Sequence, residues 1–200
     1  MDKSQLSELL LQALTHEEGC VRVYGAALGC ASNPDLGAEW TESLHETERH
    51  VLILTLVCDT LGIDPGRRTE GCRIAAQLSE ALEKTLLSAS RMADREEAQR
   101  VACDCLVLAE TRHHASWSLI AHCAESHRGP EARVLKSAVE HVESEVSGKL
   151  SRARGWCREL WLDSLWSSRP ATDASLDTTL EEWASADSSG VRAAARGRAA

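Results

Sequence analysis

The sequence predicts an all-α fold: a four-helix bundle with one long crossover that contains a short extra helix. Three observations predict it. Ala, Leu, Glu and Arg, all strong helix formers, are abundant, and only four prolines interrupt 200 residues. Aromatic residues, which strands favour, make up only 4%. Apolar residues recur at three- and four-residue spacing over four long stretches, the period of a helix with one buried face.

Each stretch follows when the chain is advanced by about 100° per residue. The first helix, over 3–29, places Leu6, Leu9, Leu10, Ala13, Cys20, Val21, Tyr24, Ala27 and Leu28 on one stripe. Turn-forming residues from Gly29 to Gly37 break it. A second helix over 38–61 turns Trp40, Leu44, Val51, Leu54, Cys58 and Leu61 inward, and Gly62 with Asp64-Pro65-Gly66 ends it. Residues 65–91 read as the crossover, a loop followed by a short helix with Leu78, Leu82 and Leu86 four residues apart. A third long helix over 92–126 carries Val101, Cys105, Leu106, Leu108, Ala109, Trp117, Leu119, Ile120 and Cys123 on its inner arc. Pro130, at a position helices tolerate at their start, opens the last helix to 166, with Leu135, Val142, Val146, Leu150, Cys157 and Leu160 in its stripe. Two short-looped pairs joined by one long connection describe the bundle. The bundle domain is 1–166. Over 167–200 the composition shifts to Ser, Thr, Asp, Ala and Arg, a polar C-terminal tail expected to be disordered or loosely attached.

Composition also excludes functions. The formal net charge is −9 and no basic stripe is present, which argues against nucleic-acid binding through phosphates. No apolar run approaches the roughly 20 residues of a membrane span, and no basic-then-apolar leader opens the sequence. Eight cysteines occur without a Cys-x-x-Cys pair, so the expectation is a cytoplasmic chain with reduced thiols. Phosphate loops, Gly-x-Ser-x-Gly and His-Glu-x-x-His are missing, which leaves hydrolase and kinase chemistry without support.

The informative residues are polar ones on apolar faces. Glu17 sits at the centre of the first stripe, where a lone carboxylate costs several kcal/mol unless paired or bound to a cation. Its neighbour Glu18 points outward. On the third long helix Glu110-x-x-His113 places both side chains on the inner face. On the last, Glu143 flanks the stripe beside Val139 and Val146. The second helix leaves a choice. His45 and Glu48 share one flank, Glu46 and His50 the other, and Thr47 holds the centre. Glu48 is favoured, being about as far beyond the first loop as Glu17 is before it. The remaining histidines, His16 and His50 among them, read as mostly outward. Each helix pair then carries one acid per helix at matching depth, a donor set suited to iron or manganese. Lys149 lies close to the inner side of the last helix, where an ammonium can stand in for a cation.

With the crossover, Glu17, Glu48, Glu110-x-x-His113, Glu143 and the stretch Arg154-Gly-Trp-Cys-Arg-Glu-Leu-Trp161, residues 3–166 resemble the ferritin-like superfamily, in particular small bacterial ferritin-like metal-binding proteins. The resemblance implies a non-haem di-metal centre of iron or manganese held by Glu17, Glu48, Glu110, His113 and Glu143. It also implies oxidation of ferrous iron or reduction of peroxide, with Tyr24 as a nearby redox participant. The family pattern places Glu-x-x-His on two helices. Here Val51 follows Glu48 and Val146 follows Glu143 at that spacing, so the ligand set is degenerate. A second reading is a metal-free ferritin-like scaffold that acts as a homodimer or partner-binding module. It expects Glu17 to pair with Lys149 or Arg112.

Overall fold

The computed structural model describes residues 2–167, and among them the chain is helical throughout, without a strand. Five helices follow in order: α1 (Lys3–Leu28), α2 (Pro34–Thr60), α3 (Glu70–Ala89), α4 (Arg95–Ser126) and α5 (Pro130–Ser167). Short polar residues set the first four starts by accepting from the unbonded N–H groups of the first turn. Asp2 caps α1, Asn33 caps α2 ahead of Pro34, Thr69 caps α3 and Asp94 caps α4. The Asn33 cap explains why α2 begins four residues before the predicted start. At its other end, Gly62 takes φ +70°, a left-handed conformation that suits glycine. That turn lets Gly62 N–H donate to Asp59 O and Ile63 N–H to Cys58 O, closing the helix and returning Ile63 to the core.

The crossover differs from expectation. Its helix is 20 residues long, and it packs on α1 and α4 as an integral layer. The buried face of α3 is Cys72, Ala75, Ser79, Leu86 and Ala89, while Leu78 is half exposed. Small residues let α3 approach α1 closely: a Cβ at Gly19 would overlap the Ser79 side chain. A leucine count overlooks such a face, because close approach needs small side chains rather than large ones.

α1 is the central element, packed against α2, α3 and α4. α5 is bonded to α2 through Glu145, Lys149 and Arg152, and to α4 through Cys157 and Trp161, both of which meet Asp104. The apolar interior forms two clusters. One gathers Val23, Tyr24, Leu36, Trp40, Leu86 and Leu106, and the other Leu10, Leu14, Leu54, Trp117, Ile120, Leu135 and Val142. Leu108 and Leu119, expected on the inner arc of α4, are exposed. All of these lie in the unit Met1–Trp161, and a second unit begins at Leu162. The polar tail expected over 167–200 lies, from residue 168 on, outside the described residues.

Candidate metal centre

Between the two apolar clusters each of four helices contributes a polar side chain at mid-length. α1 brings Glu17, α2 Thr47 and His50, α4 Glu110 and His113, and α5 Lys149, and all six are buried. On α2 the buried stripe runs Leu36, Trp40, Ser43, Thr47, His50, Leu54 and Val57, a three- and four-residue period centred on Thr47. One further step of about 100° carries Glu48 out of that stripe, and its side chain is exposed. The face left open by sequence is thus that of Glu46 and His50. Glu143 is exposed as well and lines an open groove of about 690 Å³ between α4 and α5. Of the five residues expected as ligands, Glu17, Glu110 and His113 are buried, Glu17 and His113 join His50 in one group, and Glu48 and Glu143 are exposed.

Glu17 is 1% exposed, and His50 and His113 are fully buried. Glu17, His50 and His113 each offer one ligand atom within 4.8 Å of the others, so this buried group can hold a metal ion. Glu17 Oε1 accepts from Trp117 Nε1–H at 2.8 Å, and it lies 2.8 Å from His113 Nδ1 and 3.9 Å from His50 Nδ1. The two imidazoles stack with centroids 5.2 Å apart, and the Trp117 indole meets His50 edge-on at 5.6 Å. Glu17 Oε2, His50 Nδ1 and His113 Nε2 make no hydrogen bond, whereas His113 Nδ1 faces Glu17 Oε1. Three buried polar atoms from three helices without partners are unusual in one spot, since a polar atom taken out of water normally keeps one.

His50 is held from outside. Its Nε2 lies 2.9 Å from Glu145 Oε2, and Arg49 Nη2 donates to the other Glu145 oxygen at 2.6 Å. A carboxylate can only accept there, so Nε2 carries the proton and Nδ1 turns a bare lone pair toward Glu17. A carboxylate behind a histidine is the arrangement that orients metal-binding imidazoles. Charge states agree. Burial raises the Glu17 carboxyl, but the His113 and His50 imidazoles and the Lys149 ammonium outweigh it and hold the group down to about 2. Burial lowers His50 to about 4. At neutral pH the pair is an ionised carboxylate and a neutral imidazole, the forms that ligate metals.

Beside this trio lies a second polar group. Glu110 Oε1 accepts from the Tyr24 hydroxyl at 2.8 Å and lies 3.5 Å from Lys149 Nζ, while Glu110 Oε2 has no partner. Lys149 donates to Thr47 Oγ1 at 2.6 Å and to the Ser43 carbonyl at 3.3 Å, with its ammonium 5.1 Å from the Tyr24 ring centre. Burial and the Glu110 charge push the Tyr24 phenol well above its ordinary range. Among the described residues Glu17 forms no ion pair with Lys149 or Arg112. Lys149 serves Glu110, and Arg112 donates to Gln12 Oε1 at 3.3 Å.

Sequence reasoning missed His50, Lys149's exact partner and Glu145. The sequence leaves His50 on one of two flanks and it reads as mostly outward, although its position one turn after Thr47 on the stripe carries the signal. His16 was read the same way, yet it is buried, with Nε2 3.0 Å from the Ala109 carbonyl. The chain matches no protein-family model, no curated protein and no solved structure.

Proposed function

We propose that this chain is a ferritin-like metal-binding protein in which Glu17, His50 and His113 hold a single divalent transition-metal ion, iron(II) before manganese. The observation that carries the reading is the convergence of three ligand groups on atoms that nothing else satisfies. Two imidazoles favour iron, zinc or copper over manganese, which prefers all-oxygen sites, and two histidines with one carboxylate are a set used by non-haem iron. An iron ion held by these residues would supply one-electron chemistry toward oxygen or peroxide. The chain's own part is to hold and orient. Trp117 fixes one Glu17 oxygen, Glu145 fixes the His50 ring, and the apolar clusters above and below exclude water.

Anaerobic titration with ferrous iron, followed by metal analysis after desalting, tests the reading. The expected result is one iron per chain, lost in Glu17→Ala and in His113→Ala. Substoichiometric iron that Glu17→Ala leaves unchanged sinks it. Zinc retained in preference to iron under the same conditions keeps the site and removes the redox chemistry.

The metal-free scaffold, as a homodimer or partner-binding module, draws on one observation: Lys149 already neutralises Glu110 without a metal. It expects no rise in the thermal midpoint on adding ferrous iron, since only a ligand of the native state raises it.

A further inference from the structure

Of three buried carboxylates among the described residues, Glu46 pairs with Arg152 and Glu110 with Lys149, and only Glu17 has no permanent countercharge. Lys149 Nζ stands 3.5 Å from Glu110, whereas Glu17 is approached by imidazoles and an indole N–H. Both the Lys149 and Glu110 side chains are 0% exposed. The ammonium is surrounded by oxygen: Thr47 Oγ1 at 2.6 Å, the Ser43 carbonyl at 3.3 Å and the Glu110 carboxylate. The second Glu110 oxygen is buried and has no partner. A carboxylate, a carbonyl and a hydroxyl are the donors that hard cations take, in contrast to the imidazoles of His50 and His113. In this chain the cation among those oxygens is covalently attached.

We propose that Lys149 is a built-in second cation: its ammonium fills an oxygen-lined position beside Glu17, His50 and His113, limits the wild-type chain to one metal ion, and yields that position to a hard divalent ion when its charge is reversed. The first ion rests on the reading given under Proposed function; the Lys149 position does not. A site with one exchangeable ion and one fixed charge differs chemically from a di-metal site, because only one centre can change oxidation state.

Mn2+ is the probe, with equilibrium dialysis for stoichiometry and electron paramagnetic resonance for coupling between ions. Wild type and Lys149→Met, in which an uncharged chain of similar length fills the space, are expected to bind one ion at millimolar Mn2+ with an isolated six-line spectrum. Lys149→Glu is expected to bind two with an exchange-coupled spectrum, and Mn2+ raises its thermal midpoint by more degrees than that of wild type. Glu17→Ala/Lys149→Glu is expected to keep one. Two ions or a coupled spectrum in wild type overturn the proposal, and that measurement needs no variant to fold. It is equally overturned by a Lys149→Glu chain that gains no ion relative to wild type. If wild type and Lys149→Met bind none while Lys149→Glu binds one, the reading of Glu17, His50 and His113 fails and the assignment of Lys149 stands.

Discussion

Lys149→Met removes a buried charge and leaves its shape. In the wild-type chain Glu110 is fully buried and has two partners, the Tyr24 hydroxyl at 2.8 Å and the ammonium at 3.5 Å. Without the ammonium the carboxylate keeps only the phenol. Removing one member of a buried pair typically costs about 3–5 kcal/mol, because the other charge stays behind uncompensated. For a chain of this length about 1 kcal/mol moves the thermal midpoint by about 2–4 °C, so a fall on the order of 10 °C is expected. Glu110→Gln in the same background removes the stranded charge. The double variant should therefore recover about 0.5–3 kcal/mol relative to the sum of the single changes, the range found for residues in one network. Urea unfolding with chelator present measures the cycle free of metal. Effects that add to within about 0.5 kcal/mol would mean that Lys149 and Glu110 are not energetically coupled, and the internal charge balance described above would be wrong.

Other outcomes follow from the same geometry. Glu17→Ala should abolish the rise in thermal midpoint caused by ferrous iron, whereas Glu48→Ala and Glu143→Ala, both at exposed positions, should leave it intact when melts are compared with and without the ion. Burial depresses folded His50 to about 4, so the metal-free chain should lose stability as pH falls from 6.5 toward 4, by about 3 kcal/mol from this residue. His16, lowered by burial too, adds a slope of the same sign, and His50→Gln should therefore flatten but not level the urea midpoints measured at pH 7 and pH 5. Gly19→Ala should destabilise by about 1–3 kcal/mol despite a better helix propensity, since the new Cβ overlaps Ser79, and Ser79→Gly should restore the loss in calorimetry.

The helices were legible because their signal is local. A period near 3.6, a breaker and a cap are read from neighbouring residues, and the spans around Glu17 and His113 matched to within a few positions. α3 was read as shorter and less integrated because its buried face relies on Gly19 meeting Ser79, a complementarity between two helices that no single stretch displays. The face of α2 was misjudged for a related reason. Matching Glu48 to Glu17 by distance from the loop fixes height along a helix but not rotation about it. Rotation is set by Thr47 at the centre of the stripe, and Thr47 does not look like a site residue until Lys149 arrives from α5 to bond it.

The site itself was half legible. Glu17 and His113 stood out as violations of an apolar stripe, whereas the reason they can be there is distributed over four helices. Each unsatisfied buried polar atom costs about 1–3 kcal/mol, and Glu17, His50 and His113 hold three of them. Leucines of similar volume would pack between the two apolar clusters without that cost, so the belt weakens the chain in its free state. An ion at a hundred times its dissociation constant returns about 2.7 kcal/mol to the native state alone, and it satisfies those atoms by bonding them. With such an ion, Glu17 would be balanced as Lys149 balances Glu110.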